Sequence, residues 1–181
     1  MRALSLVCLL SFLVPAGVSA QSLASSVSVH GAAGPTMVDA GHHISAGVGY
    51  AVTPRVRLLV DFQRTHLASR LTRHERGGTA FRGGTLTAAT GEVRVALWPS
   101  DRVTPYGLAG AGAGISRPNA NAIFGPAVTN PARFMFFGGG VEVPVQERLS
   151  VFGDVRLLTG VEGDHGLLAM MPVRFGLAWR F

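Results

Sequence analysis

The sequence contains no lysine, so all 16 of its Lys/Arg positions are arginine. It has a single cysteine, Cys8, which excludes an internal disulfide and a cluster of thiolate metal ligands. The arginines exceed the 10 acidic residues only modestly, and they are dispersed along the chain. A net charge of this size bears on surface and partners rather than on fold, and we expect no nucleic-acid partner.

Long hydrophobic runs are also absent after the N-terminal segment. Ala3–Val14 is apolar but shorter than the roughly 20 residues that a membrane-spanning helix needs. Arg2 precedes this run, and small residues follow it at positions 18–20. The pattern predicts a cleaved secretory signal peptide over residues 1–20, with a signal anchor as the alternative, and one exported domain over residues 21–181.

Glycine is abundant, with 24 residues, and this argues against a helical fold because glycine weakens helix interiors. Apolar and polar residues instead alternate between turn clusters, which predicts β-strands. Short polar turns and longer links alternate between them, as in outer-membrane barrels, where the short turns are periplasmic. We predict an all-β fold, an eight-stranded antiparallel up-and-down transmembrane β-barrel. The predicted strands cover residues 25–33, 43–52, 55–67, 85–98, 103–115, 133–145, 149–161 and 167–181.

Charged residues fall on one face of the predicted strands. In the seventh strand, for example, Val151 and Val155 lie on the face opposite Asp154 and Arg156. A soluble barrel turns its apolar face inward, whereas a membrane barrel turns that face to lipid and pairs its charges inside. The mid-strand charges are balanced, as a closed lumen requires, because an unpaired buried charge costs several kcal/mol. We predict a lumen charge network of Arg57, Asp61, Glu92, Arg94, Glu142, Asp154, Arg156 and Arg174.

Aromatic residues lie near the predicted periplasmic ends of the strands. Their amphipathic rings are favoured at membrane–water interfaces, although core aromatics at strand ends are the alternative. The predicted interface aromatics are Tyr50, Trp98, Tyr106 and Trp179.

Two stretches, VTPYGLAGAGAG at 103–114 and GGGVEVPVQERLSV at 138–151, together with the C-terminal strand resemble the bacterial outer-membrane β-barrel domain family. The resemblance is to its small eight-stranded OmpA/OmpX-like members. In the first half of the exported chain, only the pattern of strands matches the family. It implies a location in the bacterial outer membrane. In that family the barrel-assembly machinery reads a final aromatic residue preceded by apolar residues at alternate positions. The residues that match this assembly signal are Phe175, Leu177, Trp179 and Phe181.

The second long loop is rich in arginine, and Glu75 is its one acid. Guanidinium groups pair bidentately with phosphate, and lipopolysaccharide phosphates would lie at this height of the outer leaflet. We therefore predict a polyanion-binding loop, with a merely solvated basic loop as the alternative. Its arginines are Arg64, Arg70, Arg73, Arg76 and Arg82.

The histidines show no ligand spacing, so we expect no metal site and no cofactor, and interpret them as exposed residues in or near the outer loops. The histidines that we expect to be exposed in or near the outer loops are His42, His43, His66, His74 and His165.

The predicted function is a structural or adhesive role at the cell surface, in contact with outer-membrane lipid and lipopolysaccharide. We expect a monomer with a lumen filled by polar side chains and no enzymatic activity. One alternative is a narrow porin-like channel, since an eight-stranded barrel leaves little interior space. Another is a soluble periplasmic barrel that binds an apolar ligand. A third is a lipid A or phospholipid acyl hydrolase, for which His43 and Ser45 share one strand face as base and nucleophile.

Overall fold

The computed structural model describes residues 27–37, 41–68, 70–74, 77–81, 83–98, 100, 102–120, 126–163 and 166–181. The predicted signal peptide lies outside the described residues. The strands are β1 (Val27–Thr36), β2 (Gly41–Ala51), β3 (Val56–Leu67), β4 (Arg70–His74), β5 (Gly77–Phe81), β6 (Gly84–Ala96), β7 (Thr104–Pro118), β8 (Asn130–Pro144), β9 (Leu149–Glu162), β10 (Gly166–Met170) and β11 (Val173–Arg180). Within this part of the chain, no helix is long and apolar enough to cross a membrane.

The large sheet is antiparallel and closes on itself. Strands β1, β2, β3, β6, β7, β8 and β9 pair in this order, and β11 closes the ring by pairing with both β9 and β1. The eighth strand of the barrel is interrupted at Met171 and Pro172. The segment before this break, β10, and the segment after it, β11, both pair with β9. A proline has no N–H to donate to the ladder, which accounts for the break. The predicted eight-stranded antiparallel β-barrel is confirmed.

The second long connection differs from the loop that the sequence predicts. It contains β4 and β5, which pair with each other as a separate two-stranded sheet. Each strand has only 5 residues. A run this short offers too few alternations to be distinguished from a loop in the sequence.

The apolar face of the barrel wall points outward. On β9, Val155 is 41% exposed, whereas its neighbours Asp154 and Arg156 are 3% and 0% exposed. The same holds across the barrel, where Val93 and Leu177 are exposed. Because successive side chains of a strand point to opposite faces, this orientation puts the charges in the lumen. It contradicts the alternative of a soluble barrel with an apolar interior.

The lumen is polar at its centre, whereas toward the end that carries the long connections, which we call the outer end, apolar side chains fill part of it beside buried polar ones. The prediction of a lumen filled by polar side chains is therefore wrong for this apolar part. The buried apolar cluster extends from the outer end to Tyr106 near the periplasmic end and consists of Leu67, Leu86, Ala88, Tyr106, Leu108, Ala132, Phe134, Phe136, Leu158, Leu168 and Met170.

The glycine-rich strand β7 makes room for the rings of this cluster. Its inward positions include Gly110 and Gly112, which lie against Phe136 and Phe134 of β8. A Cβ at Gly110 would lie 2.4 Å from the Cζ atom of Phe136, and one at Gly112 would lie 2.6 Å from that of Phe134. The inward glycines of β7 therefore allow large rings to fill the lumen.

Candidate functional site

The centre of the lumen is an ion-pair network built around Asp154 of β9. Arg174 of β11 donates to both carboxylate oxygens of Asp154, from Nε at 2.8 Å and from Nη2 at 2.7 Å. The Nε atom of Arg156 donates to the same carboxylate at 3.3 Å. Tyr106 adds a hydrogen bond from its hydroxyl at 3.0 Å. Asp154 is thus held by two guanidinium groups and a phenol.

Asp61 of β3 forms the second carboxylate of the network. It is hydrogen-bonded to the Nε2 atom of His30 on β1. It also lies 3.5 Å from Nη1 of Arg174 and 3.7 Å from Nη2 of Arg156. Gly47 of β2 stands between His30 and Asp61 in the ladder, and a Cβ there would lie 2.3 Å from the Oδ1 atom of Asp61. The glycine allows side chains two strands apart to meet.

Glu92 of β6 links the centre to the periplasmic part of the lumen. Its carboxylate pairs with Arg156 across the lumen and accepts hydrogen bonds from Nε and Nη2 of Arg94, at 3.2 and 3.1 Å. Arg94 also lies 3.9 Å from a carboxylate oxygen of Asp154 and 3.9 Å from one of Glu142. The network is therefore continuous along the lumen axis.

Glu142 of β8 is the carboxylate nearest the periplasmic end. Nη1 of Arg57 donates to it at 3.0 Å, and Nη2 of Arg180 donates to it at 2.6 Å. Together with Arg94, three guanidinium groups approach this one carboxylate.

The structure places all eight residues of the predicted lumen charge network inside the barrel and brings them into contact. Sequence reasoning missed His30 and Arg180, which complete the network. Both lie on the polar face of alternating strands, so strand parity was a signal that could have found them.

Tyr106 is not an interface aromatic, and that prediction is wrong. It is 3% exposed, and Arg94 lies over its ring at 4.2 Å from the centroid. Tyr106 has the same parity on β7 as the inward glycines, so its ring points into the lumen although it lies near the strand end. Tyr50, Trp98 and Trp179 are exposed near the periplasmic ends of their strands, and their role at the membrane surface stays a prediction.

His43 and Ser45 also point into the lumen. His43 is fully buried and its Nδ1 atom is hydrogen-bonded to Thr65 at 2.8 Å, so its interpretation as an exposed residue is wrong. The Ser45 hydroxyl accepts a hydrogen bond from Arg174 at 3.2 Å. A base and nucleophile in this position have no access to acyl chains of the surrounding membrane.

Two other predicted exposed histidines, His42 and His66, form an outward-facing cross-strand pair at the outer end. His165 lies outside the described residues, and the structure describes His74 only as part of β4. In the described part of the chain, no group of three or more metal-ligating side chains converges.

The arginine-rich loop is only partly covered by the structure. Arg64 is exposed on the outward face near the outer end of β3. Arg70 and Arg73 lie in β4, whereas Arg76 and Arg82 lie outside the described residues.

Two further exposed arginines share the outward face near the outer end, Arg117 of β7 and Arg133 of β8. The predicted polyanion-binding site does not include them because it was confined to the second long loop. We call Arg64, Arg117 and Arg133 the basic rim. None of the three forms an ion pair with an acidic side chain of the described residues.

The family model of the outer membrane protein β-barrel domain matches residues 6–181. No curated protein matches the sequence.

Several solved small barrels share the fold at low sequence identity. The N-terminal β-barrel domain of Pseudomonas aeruginosa OprF is 16% identical with a TM-score of 0.61, covering 87% of this chain and 98% of that one. Neisserial surface protein A is 13% identical with a TM-score of 0.66, covering 86% and 97%. Yersinia pestis Ail, in complex with the heparin analogue sucrose octasulfate, is 16% identical with a TM-score of 0.52, covering 87% and 97%.

Proposed function

We propose that this chain, which belongs to the outer membrane protein β-barrel domain family, is a structural surface protein whose outer end binds lipopolysaccharide phosphates. Its location is the bacterial outer membrane. Cleavage after residue 20, a monomeric state and insertion by the barrel-assembly machinery belong to the same proposal. We assign it no catalytic role.

The observation that carries the proposal is the basic rim of Arg64, Arg117 and Arg133. An arginine on the lipid face of a barrel costs about 2–4 kcal/mol at the membrane midplane but only about 0–1 kcal/mol near the interface. The three arginines lie near the outer ends of their strands, where lipid headgroups are expected. Guanidinium groups that pair with no carboxylate of the described residues are suited, at that height, to bidentate pairing with phosphate.

Two further observations support a polyanion ligand. Arg70 and Arg73 are two further arginines, and they lie in β4, which follows β3 along the chain. Ail, which shares the fold, has been crystallised with a sulfated heparin analogue. Sulfate and phosphate esters are both oxyanions, so the same arginine chemistry serves either one.

The C-terminal strand supports the assembly part of the proposal. The four residues of the predicted assembly signal are exposed on the lipid-facing side of the wall and alternate with inward or half-buried residues. They are Phe175, Leu177, Trp179 and Phe181. Apolar side chains presented in this way are accessible to the barrel-assembly machinery before closure.

The test compares two triple variants of the purified barrel in detergent micelles. Replacing the basic rim by glutamine (Arg64→Gln, Arg117→Gln and Arg133→Gln) should weaken retention on immobilised lipopolysaccharide at low salt by about tenfold or more, because each charge-assisted pair contributes about 1.5–3 kcal/mol.

The matched control removes the same charge from the opposite end of the barrel, where Arg55, Arg102 and Arg148 are exposed in the short turns. This control should bind like the parent protein. Equal losses in both variants would show a nonspecific charge effect, and unchanged binding by the rim variant would refute the proposal.

A further inference from the structure

An open cavity of about 790 Å³ occupies the periplasmic end of the barrel. Its floor is formed by Arg94, Tyr106 and Glu142, and Arg57 and Arg180 stand in its walls. The short turns surround its mouth. The cavity lies at the opposite end of the barrel from the basic rim, and the proposed lipopolysaccharide contact makes no use of it.

The ion-pair network holds more arginines than carboxylates, and Arg57 and Arg180, which line this cavity, share the single carboxylate of Glu142. Besides His30, the network contains five arginines and four carboxylates. Asp61, Glu92 and Asp154 are shared with Arg156 and Arg174 at the centre. An uncompensated charge inside a barrel is costly, so excess positive charge favours a bound anion.

Glu142 alone cannot satisfy the guanidinium groups around it. Arg57 and Arg180 each donate one hydrogen bond to it, and Arg94 lies 3.9 Å away. The Nε atom of Arg180 is buried and has no hydrogen-bond partner among the described residues. Buried donors without a partner are rare in proteins and call for a ligand or a water molecule.

The three arginines of the cavity also differ in how much of each side chain is exposed. Arg94 is held in the floor with 5% of its side chain exposed, whereas Arg57 and Arg180 keep 20% and 34% exposed. A buried arginine below and two partly exposed arginines above form a pocket that can surround an oxyanion from three sides.

We propose that this cavity is an oxyanion-binding site for a small periplasmic solute that carries carboxylate or phosphate groups. Arg57 and Arg180 bind the anion directly, and Arg94 adds its charge from the floor. Glu142 holds these arginines in place and competes with the ligand for them. The ion pairs of Arg156 and Arg174 close the centre of the lumen beyond the cavity, so the solute enters and leaves from the periplasmic side.

The test is isothermal titration calorimetry at low salt on the purified full barrel in a zwitterionic detergent. Citrate and inorganic pyrophosphate are titrated separately, so that the carboxylate and phosphate chemistries are distinguished. We expect saturable binding of at least one of them. Arg57→Gln and Arg180→Gln should each weaken this binding about tenfold, the effect of losing one charge-assisted hydrogen bond.

Two further variants separate binding from structural support. Glu142→Gln removes the competing carboxylate and should tighten binding, whereas a variant that merely disturbed the fold would weaken it. Arg102→Gln removes one exposed charge from a short turn outside the cavity lining and should bind like the parent. Heat-modifiable migration on SDS gels confirms that each variant is folded. The proposal is overturned if neither anion binds saturably, or if Arg57→Gln and Arg180→Gln bind as the parent does.

Discussion

Arg174 and Asp154 are register partners on β11 and β9, and they form a bidentate ion pair with N–O distances of 2.8 and 2.7 Å at the centre of the lumen. Neither side chain is exposed to solvent. The pair joins β11, the strand that closes the barrel, to its neighbour β9. The same contact therefore neutralises two buried charges and holds the C-terminal strand in the wall.

Removing one partner of this pair should destabilise the barrel strongly. We expect Asp154→Asn to lower the free energy of unfolding by about 3–5 kcal/mol, because the buried guanidinium groups of Arg174 and Arg156 then have one carboxylate fewer to neutralise them. Urea unfolding in lipid vesicles, followed by tryptophan fluorescence, measures the change. Glu147→Gln in an exposed turn is the control and should have little effect. Equal stability of the two variants would contradict the network.

A methyl group added inside β7 should be costly where a ring fills the space. Gly110→Ala brings a Cβ within 2.4 Å of the Phe136 ring and should cost about 1–3 kcal/mol, the range for overpacking a core. Gly107→Ala on the same strand meets no atom within 4 Å and should be tolerated. The midpoint of unfolding in urea distinguishes them. A Gly110→Ala barrel as stable as Gly107→Ala would disprove the packing of the rings against this strand.

An arginine on the outward face should destabilise the barrel in the middle of the wall but have little effect near the ends of the strands. Val155→Arg on β9 should cost about 2–4 kcal/mol, and Val145→Arg beside the β8–β9 turn about 0–1 kcal/mol, following the depth dependence of arginine in a bilayer. Both valines are exposed. The measurement is reversible unfolding in vesicles. A reversed order of the two costs is inconsistent with a lipid-facing wall.

Deletion of Phe181 should lower assembly into the outer membrane, because the proposed signal ends on this residue. The readout is the heat-modifiable fraction in isolated outer membranes, with unassembled protein expected in the periplasm. Phe62→Ala is the control, since Phe62 is an outward-facing phenylalanine in the middle of β3, far from the C-terminal strand in sequence. Normal assembly without Phe181 would rule out its part in the signal.

Much of the fold was accessible from local sequence pattern. Alternation with period two identified the barrel strands and separated Val93 and Val155, which face outward, from Glu92 and Asp154, which face the lumen. The same parity placed Tyr106 inward, but its position near a strand end suggested an interface ring instead. The β4–β5 hairpin was missed because each of its strands has only 5 residues.

The sequence by itself determined which side chains share a face, because alternation is a property of each strand on its own. Only the tertiary structure decided which charges meet. His30 reaches Asp61 across an intervening strand, and Arg156 reaches Glu92 across the lumen, 64 residues away along the chain. Such partners depend on the register of every ladder and on closure of the ring, which bring together residues that no local pattern relates.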